Sequence, residues 1–149
     1  MYKNILIATD GSKFALQAVK HGLKLAKTTG SPVTLVTVTD IWSALEIARQ
    51  TRDGTQNPIT AYEKAATEAA DKILAAAKAL AVKAGVKCNT LHVKDMHPAE
   101  GIMEITAKKG CDLVVMASHG RRGVEKLLLG SIAAEVLTRG KVPVLIVKQ

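Results

Sequence analysis

The residues best suited to bind a ligand lie in segment 117–131, between an apolar stretch and a helix near the C-terminus. Glycine lets a backbone curl and approach a ligand closely, and the free N–H groups at a helix N-terminus favour a phosphate. Gly120, Gly130 and Ser131 therefore predict a phosphate-binding loop, with one of Arg121 and Arg122 as a further contact. The spacing fits equally well a connecting loop in which glycines make turns and Ser131 only caps the helix. Neither G-x-x-x-x-G-K-[ST] nor G-x-G-x-x-G occurs.

Two other apolar segments end in an acidic residue, at Asp10 and at Asp40. In an open α/β sheet, ligands bind beyond the carboxyl ends of the strands, where the strand order reverses. The segments that end near Asp10, Asp40 and Ser118 are predicted to meet there. Asp10 is then an acceptor for a ribose or base donor, or a ligand of a magnesium-bound water. Its other interpretation, supported equally by its position, is a cap for the following helix.

The spacing of the residues gives little indication of a hydrolase active site or of a metal-binding site. Ser118 and His119 are neighbours, and neighbouring side chains on an extended segment are expected to point apart. There is no G-x-S-x-G elbow and no metal-ligand spacing among the histidines. Cys88 and Cys111 lie far apart and are predicted to be reduced thiols.

The length and the charge of the chain limit the classes of protein to which it can belong. The chain has 149 residues, which suggests one domain over 1–149, and 21 basic against 13 acidic residues give a net charge of +8. That charge suits an anionic ligand, a nucleic acid or an anionic surface, but aromatic residues make up only 3%, too few for a protein that stacks bases. Nucleic-acid binding is therefore not expected. The sequence contains no membrane span or leader pattern, which predicts a cytoplasmic protein without membrane contact.

The periodicity of the apolar residues predicts strands alternating with helices. Strands are predicted at 2–9, 33–38, 86–93, 112–117 and 142–147, and helices after Ser12, at 42–49, 59–84, 98–109 and 131–139. Segment 52–58 is predicted to be a loop. This order predicts a doubly wound α/β sandwich, a parallel sheet covered by helices on both faces, with the third strand at an edge and the fourth central.

Each helix is expected to bury one face. In the first helix the buried set is Ala15, Ala18, Val19, Gly22, Leu23 and Ala26. In the long helix it is Tyr62, Ala66, Ala69, Ile73, Ala77, Leu80 and Ala84. In the last helix it is Ile132, Ala133, Val136 and Leu137.

Four segments together resemble the universal stress proteins of the bacterial A-like kind. They are Ile5–Ser12, Leu113–Gly120, Leu128–Ser131 and Pro143–Val147. The nucleotide-binding branch of that family carries G-x2-G-x9-G-[ST]. Gly120, the nine residues 121–129 and Gly130-Ser131 match this pattern, and Ala117 replaces its first glycine.

The resemblance implies a Rossmann-like fold of the adenine nucleotide α-hydrolase type, a five-stranded parallel sheet of order 3-2-1-4-5. It also implies ATP across the strand ends, with Mg2+ or Mn2+ held by the phosphates, and a homodimer formed through the last strand, Val142 to Val147. The implied ligand contacts are Ala8 and Asp10 beside the base and ribose, Val38 at the adenine, Met116 and Ala117 at the ribose, and Gly120, Gly130, Ser131 and Ile132 at the phosphates, with Arg121 beside them.

This resemblance predicts an ATP-binding stress regulator that signals by nucleotide occupancy, with slow or no hydrolysis because no general base is evident. The alternative is a nucleotide-free homodimeric module of the same fold that binds a protein partner. A third possibility is an enzyme that acts on adenylated or phosphorylated substrates.

Overall fold

The computed structural model describes residues 1–41, 44–54, 56–121 and 128–148. Its elements follow in the order β1 (Ile5–Ala8), α1 (Lys13–Thr29), β2 (Val33–Val38), α2 (Ala44–Arg52), α3 (Pro58–Ala84), β3 (Cys88–Val93), α4 (Pro98–Lys108), β4 (Leu113–Ala117), α5 (Ser131–Arg139) and β5 (Val144–Val147). No described helix combines the length and the apolar composition that crossing a membrane requires.

The five strands form one parallel sheet of order β3-β2-β1-β4-β5. This order confirms the doubly wound α/β prediction, with β3 at an edge and β4 inside the sheet. Ile5, Leu6 and Ile7 of the central strand β1 are fully buried, as expected for a strand with helices on both faces. The strand order reverses between β1 and β4, so their carboxyl ends flank the crevice where such sheets bind ligands.

Two apolar cores hold the helices on the sheet. One face packs against α1 and α3 and includes Ile7, Leu35 and Val115, and the other packs against α4 and α5 and includes Leu6, Val36 and Val114. These residues alternate along β1, β2 and β4, because successive side chains of a strand point to opposite faces. Helix α1 buries the six residues that its periodicity predicts.

Two predicted faces are wrong in part. In α3 the buried residues are Ala70, Leu74, Ala77 and Ala81, whereas Ala69 is exposed. Alanines occupy so many positions of α3 that their spacing does not single out one face, and tertiary packing selects the face that carries Leu74. In α5, Leu137 is 51% exposed, because this nine-residue helix contacts the sheet mainly through Ala133 and Val136.

The boundaries of several elements also differ from the prediction. Strands β1, β3, β4 and β5 are shorter than predicted. Helix α2 continues to Arg52 and α3 begins at Pro58, so both ends of the predicted loop 52–58 are helical, and residue 55 lies outside the described residues. Residues 42 and 43, the start of the predicted helix 42–49, lie outside the described residues.

At the amino ends of the strands, Asp112 joins the start of β1 to the start of β4. Its Oδ2 accepts a hydrogen bond from Lys3 N at 2.8 Å, and its Oδ1 accepts one from Asn4 N at 3.1 Å. Burial opposes the ionised form, but these backbone N–H groups favour it, and the pKa of Asp112 lies below its ordinary value.

We expect Asp112→Asn to destabilise the protein near neutral pH and to have little effect in acid. A lowered folded-state pKa contributes stability above the unfolded-state pKa, and that contribution disappears as the pH falls through the folded-state pKa. Urea unfolding of both proteins from about pH 6 to about pH 2.5 should therefore show their difference in free energy of unfolding shrinking below about pH 4. A difference that is constant with pH would contradict this role.

Candidate functional site

Three of the predicted site residues lie together at the carboxyl ends of adjacent strands. Ala8 ends β1, Val38 ends β2 and Met116 is the penultimate residue of β4. All three belong to the core on the α4 and α5 side, so they share one face of the sheet. Met116 is only 6% exposed, whereas Ala8 and Val38 are half-buried and offer more surface to a ligand.

Ala117 lies on the opposite face of the sheet. It pairs with Val147 of β5, and Val147 packs against the core on the α1 and α3 side. Paired residues of neighbouring strands share a face, so the methyl group of Ala117 points away from Ala8, Val38 and Met116. The residue that departs from the family pattern therefore adds no bulk on the face where the other candidates gather.

Asp10 links two loops at the strand ends. Its Oδ1 accepts a hydrogen bond from Ser12 N at 2.9 Å, and its Oδ2 accepts one from Arg121 N at 2.9 Å, across 111 positions of sequence. The cap of α1 is Ser12, whose hydroxyl accepts from Ala15 N. Asp10 is therefore not the helix cap, and it joins the turn after β1 to the segment after β4. Each carboxylate oxygen has a second lone pair for a ligand donor.

Gly120 and Gly130 are glycines because other atoms approach them closely. A Cβ at Gly120 would lie 2.6 Å from Asp10 Oδ2, and a Cβ at Gly130 would lie 2.7 Å from the carbonyl oxygen of Ser118. Gly130 N also donates a hydrogen bond of 2.7 Å to that oxygen. Neither glycine has a positive φ. At Gly120, close approach therefore takes the place of the predicted backbone curl, while Gly130 stands at the helix start as predicted.

The N-terminus of α5 begins at this contact. Gly130 occupies the N-cap position and Ser131 is the first helical residue, so the interpretation of Ser131 as the cap is wrong. The first helical bond runs from Ala134 N to Gly130 O, which leaves the N–H groups of Ser131, Ile132 and Ala133 without partners inside the helix. In the described ranges, which omit 122–127, no side chain caps them. Such N–H groups favour an anion.

Arg121, in the segment that follows β4, lies beside the turn after β1. Arg121 is exposed, and its guanidinium lies 3.4 Å from the place where a Cβ of Gly11 would be. Gly11 has φ +78°, and that Cβ would also lie 2.7 Å from Ile73 of α3. The sequence predicts a break at Asp10-Gly11-Ser12, since an Asp-Gly pair after a strand is a turn signal, and β1 ends just before it. Arg122 lies outside the described residues.

Helix α4 supports the apolar part of the site. A Cβ at Gly101 would lie 2.9 Å from a methyl carbon of Val38, so α4 packs directly on this side chain. His97 at the start of α4 hydrogen-bonds Glu135 of α5 at 3.0 Å, and Arg139 donates to the same carboxylate. The hydrogen bonds of His97 and Arg139 hold the pKa of Glu135 below its usual value. Gly101 and His97 went unrecognised in the sequence because their partners are distant in the chain.

Ser118 and His119 do not point apart as predicted. His119 Nδ1 lies 3.1 Å from Ser118 Oγ, within hydrogen-bond distance. The segment has left the extended strand here, so the alternation of side chains no longer applies. Ser118 is only 5% exposed, whereas His119 is half-buried. The ring of His119 lies against Phe14, with 6.5 Å between centroids.

Nearly the whole chain matches one known protein family. A model described as the universal stress protein family matches residues 1–148. The chain belongs to the universal stress protein family. Universal stress protein MJ0531 of Methanocaldococcus jannaschii is 35% identical over 149 residues, which cover 100% of this chain and 84% of that protein.

Solved structures of other universal stress proteins share the fold. The structure of hypothetical protein MJ0577 of Methanocaldococcus jannaschii, which is named as a universal stress protein, superposes with a TM-score of 0.81 at 31% identity. The match covers 100% of this chain and 97% of that one. A universal stress protein in complex with cAMP gives a TM-score of 0.68 at 26% identity over 99% and 97% of the two chains.

Proposed function

We propose that this universal stress protein binds ATP at the carboxyl ends of β1, β2 and β4 and acts as a nucleotide-dependent stress regulator. The observation that carries the proposal is the contact of Gly130 with the carbonyl of Ser118, which brings the N-terminus of α5 to the strand ends. Three N–H groups without helical partners then lie on the same side of the sheet as the apolar surface formed by Ala8 and Val38. The phosphates of a nucleotide would accept hydrogen bonds from these N–H groups, and its adenine would pack on the apolar surface.

The proposal assigns the parts of the nucleotide to named groups. Ala8, Val38 and Met116 contact the adenine and ribose, and Asp10 accepts from a ribose hydroxyl or a base N–H. The phosphates contact backbone N–H groups at Ser131 and Ile132 and the hydroxyl of Ser131. Gly120 and Arg121 lie beside them. The side chain of Ile132 packs against the core, so its contribution is its N–H group.

A related universal stress protein, 26% identical, was solved in complex with cAMP, which supports an adenine nucleotide as the ligand class. Mg2+ or Mn2+ is assigned to the phosphates. Three or more His, Cys, Asp or Glu side chains do not converge on a metal position anywhere in the described residues. The protein signals by whether a nucleotide is bound, and any hydrolysis of that nucleotide is slow or absent.

We further propose that the protein is a single domain that forms a cytoplasmic homodimer through β5. In the described sheet β5 pairs only with β4, and all four of its residues are half-buried. Beside it, a cleft of about 550 Å³ is lined by apolar residues such as Val142 and Val144 and by charged residues such as Glu104 and Lys141. A second β5 in antiparallel pairing would cover this edge, which is otherwise a liability. A nucleotide-free module that binds a protein partner would use the same dimer.

The test is to denature freshly purified protein, identify any released small molecule by mass, and measure the melting temperature with added ATP and magnesium. At a hundredfold excess over Kd, ATP should stabilise the fold by about 2.7 kcal/mol, which corresponds to roughly 5–10 °C in Tm for a chain of this size. Analytical ultracentrifugation of the same sample reports the dimer. An empty protein with no shift would overturn the proposal and favour the nucleotide-free module.

We expect Ala117→Gly to change ATP affinity less than about threefold, because the methyl group of Ala117 points toward α1 and Val147. Its main effect should be on stability, since glycine in a strand costs about 0.5–1 kcal/mol relative to alanine. Calorimetric titration of both proteins with ATP, alongside urea unfolding, separates the two effects. A tenfold gain in affinity would show that residue 117 does limit the nucleotide site.

A further inference from the structure

Helix α1 carries a line of lysines on the side opposite its buried face. Lys13, Lys20, Lys24 and Lys27 follow one another at helical spacing, and all four are exposed. No Asp or Glu occurs between Asp10 and Asp40, so α1 contains no acidic residue. At 1.5 Å per residue the line from Lys13 to Lys27 is about 21 Å long.

The carboxyl end of β5 turns this line into a groove. The basic groove is lined by Lys13, Gln17, Lys20, His21, Lys24, Val147 and Lys148 and has a volume of about 590 Å³. Four lysines and one histidine thus converge, with no carboxylate among the described residues of the lining. Lys148 comes from the opposite end of the chain, so only the fold brings it beside α1.

The lysines of the basic groove are not neutralised within the described part of the chain. The ion pairs found there join Glu46 to Arg49 and Glu135 to His97 and Arg139, and none of them includes a groove lysine. Like charges at i and i+4, such as Lys20 and Lys24, repel each other. An external polyanion would relieve this repulsion.

We propose that the basic groove binds the phosphodiester backbone of a nucleic acid without reading its bases. Lysines that follow a phosphate backbone are the expected contacts of sequence-independent binding. None of the described residues that line the groove is aromatic and could stack on a base. The low aromatic content, which argues against stacking on bases, is compatible with this mode.

The burial of the apolar face of α1 favours a nucleic-acid strand over a membrane surface as the occupant of the basic groove. The apolar face of α1 is buried against the sheet through residues such as Val19 and Leu23, so it is not free to enter a bilayer. The basic groove lies between α1 and the end of β5, whereas the apolar residues of the proposed ATP site lie on the α4 and α5 side of the sheet. The two proposals assign no residue in common, so failure of one leaves the other intact.

The test compares two double charge reversals. In the first, Lys20→Glu is combined with Lys24→Glu, while Lys13 is left intact because it follows the turn of the ATP site. The matched control combines Lys64→Glu with Lys78→Glu, two exposed lysines of α3, and it changes the net charge by the same amount. The probe is a fluorescently labelled oligothymidine, and the measurement is its anisotropy as a function of salt concentration. Circular dichroism verifies the fold of each variant.

We expect the groove variant to bind the oligonucleotide at least tenfold more weakly than the parent and the control to lose less than threefold. For the parent, three to four neutralised phosphates predict a slope of log K against log salt of about −2 to −3, and the groove variant should have a shallower slope. The neutral pair Lys20→Gln and Lys24→Gln should give an intermediate loss, which guards against a folding effect of the reversed charges.

Equal losses in the groove variant and the control would overturn the proposal, because net charge alone would then explain binding. Two parallel titrations test other polyanions, one with vesicles of phosphatidylglycerol and phosphatidylcholine in equal parts and one with polyglutamate. If either binds more tightly than the oligonucleotide and shows the same dependence on Lys20 and Lys24, the groove serves a membrane or an acidic protein instead. Absence of oligonucleotide binding at low salt would also refute the proposal.

Discussion

Replacement of Gly130 by valine is expected to lower ATP affinity by about a hundredfold, or roughly 2.7 kcal/mol. A Cβ at this position would lie 2.7 Å from the carbonyl oxygen of Ser118, a backbone atom that cannot move like a flexible side chain. The start of α5 must therefore shift, and the N–H groups of Ser131 and Ile132 shift with it. Two hydrogen bonds to a charged phosphate account for a loss of this size.

The control for Gly130→Val is a glycine substitution that disturbs stability away from the site. Gly110 follows α4 with φ +63° and has open space where a Cβ would be. Gly110→Ala should lower the free energy of unfolding by about 1 kcal/mol through backbone strain while leaving ATP affinity unchanged. Calorimetric titration and thermal melting of both variants separate the effects. A folded Gly130→Val protein that binds ATP as the parent does would refute the assignment of phosphate to α5.

The second large effect is expected at Asp10. Its two carboxylate oxygens accept from Ser12 N and Arg121 N, so an asparagine can satisfy one donor but must point its own NH2 group at the other. We expect Asp10→Asn to cost about 1–3 kcal/mol of stability, since a hydrogen bond to a charged group is lost. ATP affinity should fall about tenfold or more, because the segment after β4 loses its link to β1.

Asp112→Asn provides a matched comparison for Asp10→Asn. Asp112 also accepts one backbone N–H on each carboxylate oxygen, but it does so at the amino ends of the strands, away from the site. Both variants should melt at a lower temperature than the parent, and only Asp10→Asn should lose ATP affinity, measured by calorimetry below the melting range. Equal affinities in the two variants would mean that Asp10 has only a structural role.

Gly120, Gly130 and Ala117 illustrate which properties of the site follow from the sequence and which do not. The spacing of Gly120 and Gly130 pointed to the segment, but the reason for each glycine lies in Asp10 and Ser118, which approach it in space. Ala117 counted as a departure from the family pattern, and nothing local showed which face of the sheet it occupies. That face follows from its pairing with Val147, about thirty positions later in the chain.

The amino-acid sequence alone determined the order of strands and helices, the parallel α/β class and the buried face of α1. These properties depend on apolar periodicity and on local breaking residues, and both act within a few residues of chain. Only the tertiary structure decided the face of α3, the two N–H partners of Asp10, the contact between Ser118 and His119, and the meeting of Lys148 with the lysines of α1. Most of these contacts join segments that are far apart in sequence, and the contact between Ser118 and His119 depends on a bend that ends the alternation of side chains along β4. The spacing of residues in the sequence predicts neither kind of contact.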